Sequence, residues 1–267
     1  MPDVITPDPE QPLLSLRGVG KIYEPRSGPR VTALCNVALD IGRNEFVTLV
    51  GPSGCGKSTL LKLIGSIESP SQGNIVFDGR LLTEPSRKAG LVFQRPILLP
   101  WRNVLGNVLF PIEMLGWPTR NFRDEAMRLI ELVGLKGFEG SLPHELSGGM
   151  QQRVSICRAL IYDPQLLLMD EPFGALDAMT REELSVELLR IWTERRKTIV
   201  FVTHSISEAV LLGDRVIVMT ARPGRIVEDL RVDIPRPRNL ETEGTPAFTA
   251  LVRTVRAAIY ASKRAST

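Results

Sequence analysis

An apolar run, Phe-Val-Thr-Leu-Val at 46–50, leads straight into Gly-Pro-Ser-Gly-Cys-Gly-Lys-Ser-Thr at 51–59, and a helical run, Ser-Thr-Leu-Leu-Lys-Leu-Ile-Gly-Ser-Ile, follows. No other stretch of the chain constrains its fold as strongly. The pattern G-x-x-x-x-G-K-[ST] is complete at 51–58, and it works only between a strand that launches it and a helix that receives it. Gly51, Gly54 and Gly56 let consecutive backbone N–H groups turn inward around phosphate oxygens, with Pro52, Ser53, Cys55 and Thr59 completing the loop. Lys57 reaches the outer phosphates, and Ser58 offers a hydroxyl to Mg²⁺. The field of a helix start contributes only ~0.3–1 kcal/mol, so such a cradle binds through many aligned donors. Cys55 reads as a small filler and, if reachable, as a point where thiol reagents would block nucleotide.

The 267 residues allow one large domain or two small ones. With 33 basic and 30 acidic residues the net charge is +3, too balanced and too unclustered to argue for nucleic acid. Cys35, Cys55 and Cys157 have no paired or metal-type spacing, which points to reduced thiols. No apolar run approaches the ~20 residues that span a bilayer, and the Pro- and acid-rich start, residues 1–12, reads as a flexible tail rather than a signal peptide.

Along the chain, LLSLRGV, VTALCNVALDI and NIVFDGRLL read as strands or hairpin pieces, and GLVFQ at 90–94 as a buried strand. From about 95 to 164 the texture turns helical, with Phe122, Ala126, Leu129 and Val133 on one stripe. LLLMDE at 166–171 and TIVFVTH at 198–204 are continuous apolar runs of the kind buried on both faces of a parallel sheet. Thr180 with Glu183, and Ser205 with Glu208, look like capping boxes at helix starts. RVIVMT and RIVEDL close the sheet region, and the link DIPRPR leads to a last helix with Phe248, Leu251, Val255 and Ile259 on one face. The expected architecture is a mixed α/β core with a helical insertion.

Chemistry gathers at strand ends, where open α/β sheets bind ligands. Asp170 and Glu171 stand where one apolar run emerges; facing opposite ways, they divide the work, Asp170 holding Mg²⁺ and Glu171 polarising a water. His204 ends the neighbouring run, placed for the γ-phosphate, and Gln94 ends GLVFQ, an uncharged amide able to touch water or metal. A second helix start built for negative charge, Ser147-Gly148-Gly149, lies nearly a hundred residues past the first.

GPSGCGKST, Gln94, LSGGMQ, LLLMDEP, GALD at 174–177 and His204 stand in the order that identifies the chain as resembling an ABC transporter nucleotide-binding domain over about residues 13–230. The resemblance implies a P-loop NTPase core: a mixed, largely parallel sheet with an antiparallel β subdomain and the helical insertion, then a link and helix over 231–267. It implies an ATPase using ATP and Mg²⁺, with Tyr23 stacking on adenine. Two copies would pair head to tail, so that Ser147, Gly148 and Gly149 of one meet the γ-phosphate in the cradle of the other, with Asp177 at the seam. One chain carrying one of each element suits such a symmetric pair. Met150 departs from the glutamine common in the family, which puts a polar side-chain contact there in doubt. Without membrane spans, such an ATPase must push on a permease from the cytoplasmic face of the inner membrane, with a solute-binding protein acting indirectly. Leu98, Leu99, Pro100 and Trp101 suit either that docking or packing inside the insertion; the resemblance favours docking. LPWRNVLGNV, DEPFGALDAMTREEL and ARPGRIVED look like the nitrate, sulfonate and taurine importer group. The other reading, a soluble ABC ATPase of DNA repair, chromosome structure or translation, lacks the expected long coiled coils or second cassette.

Overall fold

The computed structural model describes residues 11–25 and 28–264, so most of the expected N-terminal tail lies outside the described residues. A six-stranded sheet, ordered β10-β9-β3-β8-β7-β6, organises the chain. Its strands are β3 (Phe46–Val50), β6 (Ala89–Val92), β7 (Leu166–Asp170), β8 (Thr198–Val202), β9 (Arg215–Met219) and β10 (Ile226–Arg231). All pairings are parallel except the hairpin of β9 and β10. A second, antiparallel sheet, β2-β1-β4-β5, comprises β1 (Leu14–Tyr23), β2 (Val31–Ile41), β4 (Gln72–Phe77) and β5 (Arg80–Leu81).

The apolar runs are continuous because both faces of the parallel sheet are covered, and the period of two along a strand sorts its side chains between two cores. Phe46, Val50, Leu167, Met169, Ile199, Phe201, Val216 and Val218 face one core. Val47, Leu49, Leu166, Leu168, Val200, Val202, Ile217 and Met219 face the other. That second core is closed by helix α1 (Lys57–Ile64) and the antiparallel sheet. The first is closed by α2 (Val104–Met114), α3 (Arg123–Leu132), α4 (Gly148–Leu160), α5 (Ala178–Arg195), α6 (Ile206–Leu212) and α7 (Pro246–Arg264). The helices of the 95–164 stretch therefore share one apolar core with the sheet. Phe46, Phe201, Phe173 and Trp192 form its aromatic centre, with ring centroids 5.5–6.2 Å apart.

Both stripes expected on helices bury as periodicity requires: Ala126, Leu129 and Val133 are fully buried with Phe122 at the margin, and Phe248 and Val255 are buried with Leu251 and Ile259 packed at the edge. Three local expectations are corrected. Helix α5 is capped by Asp177, which accepts the Thr180 N–H, rather than by Thr180 with Glu183. Ser205 does cap α6, but Glu208 turns away and accepts the Thr203 hydroxyl, so the reciprocal half of that box is missing. Strand β6 ends at Val92, two residues before Gln94, and is only half buried because it is the sheet's edge.

Two arginines tie the C-terminal segment to α5 and to the end of α6. Arg236 pairs with Asp214 at 2.7 Å and stacks on Trp192, while buried Arg238 donates to the carbonyls of Val210, Leu211 and Gly213, closing the C-terminal end of α6. Burial pushes the Arg238 guanidinium down to about 10. Phe201→Ala, which empties the aromatic centre, is expected to cost about 3–5 kcal/mol of unfolding free energy; a denaturant midpoint close to that of the wild type would contradict this packing.

Candidate active site

The 51–59 loop starts where β3, held between β8 and β9, runs out of the sheet. Gly51 and Gly56 take φ of +156° and +98°. A Cβ at Gly51 would lie 2.7 Å from the Met219 carbonyl oxygen, and one at Gly56 2.6 Å from Leu34 Cδ2. Only glycine satisfies both the backbone angle and the space. Gly56 is also the N-cap of α1 and offers no side-chain acceptor, which leaves the N–H groups of the first turn directed at the mouth of the loop. Lys57 is 6% exposed, its ammonium donating to the carbonyls of Gly51 at 3.0 Å and Pro52 at 3.3 Å. Cys55 is fully buried beside that ammonium, and burial pushes its thiol up. It is therefore out of reach of reagents, and the idea of thiol-mediated blockage is withdrawn.

Ser58 Oγ donates to Asp170 Oδ1 at 2.9 Å, joining the start of α1 to the end of β7. Burial pushes the Asp170 carboxyl up, the Glu171 charge adds to that shift, and the Ser58 hydrogen bond opposes it. Glu171 has left the strand: its φ is +44° and its N–H donates to the Val202 carbonyl at 3.0 Å. A left-handed turn rather than strand alternation separates the two carboxylates, which corrects the sequence argument. Glu171 Oε2 lies 3.5 Å from Nδ1 of the exposed His204. Gln94 is exposed; its amide nitrogen would stand 3.2 Å from a Cβ at Gly174, so it abuts the turn that carries Glu171.

A cavity of about 270 Å³ unites Tyr23, the loop from Ser53 to Thr59, and Glu171. The Tyr23 hydroxyl donates to Glu68 at 2.7 Å, Lys21 lies over its ring, and burial pushes its phenol up. Gln94, His204, Asp177 and the Ser147-Gly148-Gly149 turn do not line that cavity. Ser147 is exposed and caps α4, accepting the Met150 N–H at 3.3 Å. Gly149 is pressed against Thr180, where a Cβ would come within 2.7 Å of Cγ2, and Met150 packs on the core. Asp177 is spent on its helix cap, and the backbone N–H of Thr180 holds its carboxyl below the usual range.

Three cavity residues escaped sequence reasoning: Val31, Ala33 and Arg222. Val31 and Ala33 show only the alternation of a strand. Arg222 sits in the Arg-Pro-Gly turn between β9 and β10, legible as a turn but not as a neighbour of residue 54.

A cradle of glycines and a buried lysine after β3, with an Asp–Glu pair at the end of β7 across the intervening β8, is the residue set suited to a nucleoside-triphosphate-hydrolysing site. The chain belongs to the ABC transporter family, whose model matches residues 34–174. It is 51% identical over 226 residues to an uncharacterized ABC transporter ATP-binding protein, MJ0412, of Methanocaldococcus jannaschii, covering 85% of this chain and 84% of that one. It is 43% identical over 257 residues to the taurine import ATP-binding protein TauB of Rhizobium johnstonii, covering 94% and 98%. It is also 43% identical over 230 residues to the aliphatic sulfonates import ATP-binding protein SsuB of Bacillus cereus, covering 86% and 90%. Among solved structures, the dimeric ATP-binding cassette MJ0796 in a post-hydrolysis state bound to ADP and Pi matches with a TM-score of 0.70 and 33% identity, over 83% of this chain and all of that one. The chain is an ABC ATPase that couples ATP hydrolysis to transport, and the soluble repair or translation reading is set aside.

Because the desolvated Asp170 is strained only when charged, Asp170→Asn is expected to raise the melting temperature near neutral pH in metal-free buffer. The sign follows from the raised carboxyl: as pH falls through its folded value the wild type gains the proton it favours and the gap closes. A gap that widens on acidification would contradict the burial argument.

Proposed function

We propose that this chain energises the import of a small organic sulfonate, taurine or an aliphatic sulfonate, working as a homodimer beneath a membrane permease. The observation that carries this reading is the division of the anion sites: the cradle and the Ser147 helix start belong to one chain but not to one cavity. An exposed helix N-terminus with its serine outward suits the phosphate of a second copy, and a cavity of about 270 Å³ falls short of the ~300–1,000 Å³ usual for a small-molecule site. The dimeric cassette MJ0796 supports the pairing, and the printed names of TauB and SsuB support the solute class.

In this reading Tyr23 takes the adenine, the loop N–H groups and Lys57 hold the phosphates, and Glu171 polarises the attacking water. His204, beside Glu171, meets the γ-phosphate, and Gln94, against the same turn, touches the attacking water or the metal. Among the described residues no cluster of three or more His, Cys, Asp or Glu could hold a metal by itself. Mg²⁺ nevertheless fits Ser58 Oγ and Asp170 Oδ1, a hydroxyl and a carboxylate oxygen, both hard ligands, because this cation keeps waters and substrate phosphates as its other ligands. It would supply charge neutralisation on the phosphates. Closing the pair tenfold more favourably with ATP than with ADP needs only ~1.4 kcal/mol, within reach of a few charge-assisted hydrogen bonds.

Among the described residues no helix is long and apolar enough to cross a membrane, so transport requires a permease, and the chain would work from the cytoplasmic face. The expected docking stretch divides. Leu98 packs on the core and the Leu99 backbone is held by buried Asn107, whereas Trp101 is 73% exposed. Separately, a groove of about 320 Å³, lined among others by Leu91, Pro111, Met114, Leu115 and Tyr162, suits a short helix of the permease. A solute-binding protein would act only through that permease.

Glu171→Gln is expected to bind ATP, stop turnover and accumulate a dimer on size exclusion; a variant that stays monomeric with saturating ATP would count against the shared site. Ser147→Arg should abolish hydrolysis by the assembled pair while leaving ATP affinity of the monomer within about twofold, and equal loss of both would remove the in-trans role. Deletion of the gene should abolish growth on taurine or alkanesulfonates as sole sulfur source; undiminished growth on both would refute the solute class.

A further inference from the structure

The turn between β9 and β10 is closed on itself and seated on the phosphate-binding loop. Thr220 N–H donates to the Arg225 carbonyl at 2.9 Å, and the Thr220 hydroxyl donates to the Pro223 carbonyl at 2.9 Å while accepting the Arg225 N–H at 3.0 Å. Gly224 anchors the turn: its N–H donates to Ala33 at 2.9 Å and its carbonyl accepts from Cys35 at 3.0 Å. A Cβ at Gly224 would come within 2.0 Å of the Cys55 carbonyl oxygen, so turn and loop touch backbone to backbone.

This seating places Arg222 on the flank of the cradle. Its Nε donates to the Gly54 carbonyl at 3.1 Å, and its guanidinium lies against the space a Gly54 side chain would need, 3.4 Å from that Cβ. Arg222 lines the same cavity as Lys57 and Tyr23. Among the described residues no carboxylate pairs with it, whereas Arg215 and Arg236 on the same segment are each paired with an aspartate. The Nε–H of the guanidinium is committed to Gly54, and no hydrogen bond among the described residues engages the two terminal nitrogens of this cavity-lining side chain. A planar fork of donors matches phosphate oxygens in pairs, which a point-like ammonium does not.

We propose that Arg222 is a nucleotide-binding residue, a second cation that grips the polyphosphate of the ATP held in its own chain's cradle. The proposal rests on the reading of this cavity as the ATP site. The competing role is a purely structural clamp on Gly54, and the two differ in what they predict.

The test is displacement of a fluorescent ATP analogue by ATP, ADP and AMP, without Mg²⁺, for the wild type, Arg222→Ala, Arg222→Lys, Arg222→Gln and Lys57→Ala, alongside the melting temperature of each protein without nucleotide. Loss of one charge-assisted contact weakens ATP about tenfold in Arg222→Ala. AMP should change less than twofold, Lys should recover part of the affinity and Gln none, with nucleotide-free melting unaltered. The salt dependence of ATP binding should flatten in Arg222→Ala. Equal losses for all three nucleotides, rescue by Gln, or a lowered melting temperature matching the affinity loss would establish the clamp and overturn the proposal, as would unchanged affinity throughout. Failure of the wild type to bind ATP would instead defeat the reading of the cavity itself. ATP binding that responds to Lys57→Ala but not to Arg222→Ala defeats the second cation alone.

Discussion

Backbone packed against backbone, with no room for a single methyl group, is the constraint on which the site depends. Gly51 meets the Met219 carbonyl, Gly56 meets Ala33 and Leu34, and Gly224 meets the Cys55 carbonyl. The phosphate-binding loop is thus wedged between the end of β3, the strand β2 of the other sheet, and the turn after β9. Its N–H donors are held in place before any anion arrives, so their orientation costs nothing at the moment of binding. The two cores serve this geometry: one fixes α1 behind the loop, and the other fixes the strand ends that carry Asp170 and His204.

Charge is distributed over that frame in opposed sets. Lys57 and Arg222 stand at the loop, Asp170 is bonded to it through Ser58 and penalised by burial, and Glu171 lines the same cavity as the two cations. An anion at the cations and a cation at Asp170 would both be favoured by these charges, which is the condition for ligand binding to change the energy of the whole. In the proposed dimer the exposed N-terminus of α4 supplies the remaining wall, so that the nucleotide becomes the adhesive between copies. Because α4, α5 and the sheet share one apolar core, displacement at that wall cannot stay local.

Much of this was readable from residue order, and the misses have common causes. Continuous apolar runs announced the buried parallel strands, and the complete G-x-x-x-x-G-K-[ST] pattern announced the loop between strand and helix. The failures lie where two signals compete. Asp177 and Thr180 can both cap a helix, and the Asp won because its carboxylate accepts both the N–H and the hydroxyl of Thr180. Glu208 could have closed a capping box but is buried, and it takes the Thr203 hydroxyl while Arg181 stands 3.5 Å away. Glu171 looks like a strand residue until its backbone is seen to turn left-handed.

Sequence by itself determined the phosphate-binding loop, the acidic pair at a strand end and the alternation of helices and strands, because each is encoded within a window of about ten residues by side-chain period or backbone freedom. Only the tertiary structure decided that Arg222 stands beside Gly54, 168 positions away, that Cys55 is sealed from solvent, and that Ser147 opens away from the cradle of its own chain. Those facts depend on which distant backbones come into contact, and contact between strands far apart in the chain leaves no periodic trace in either segment.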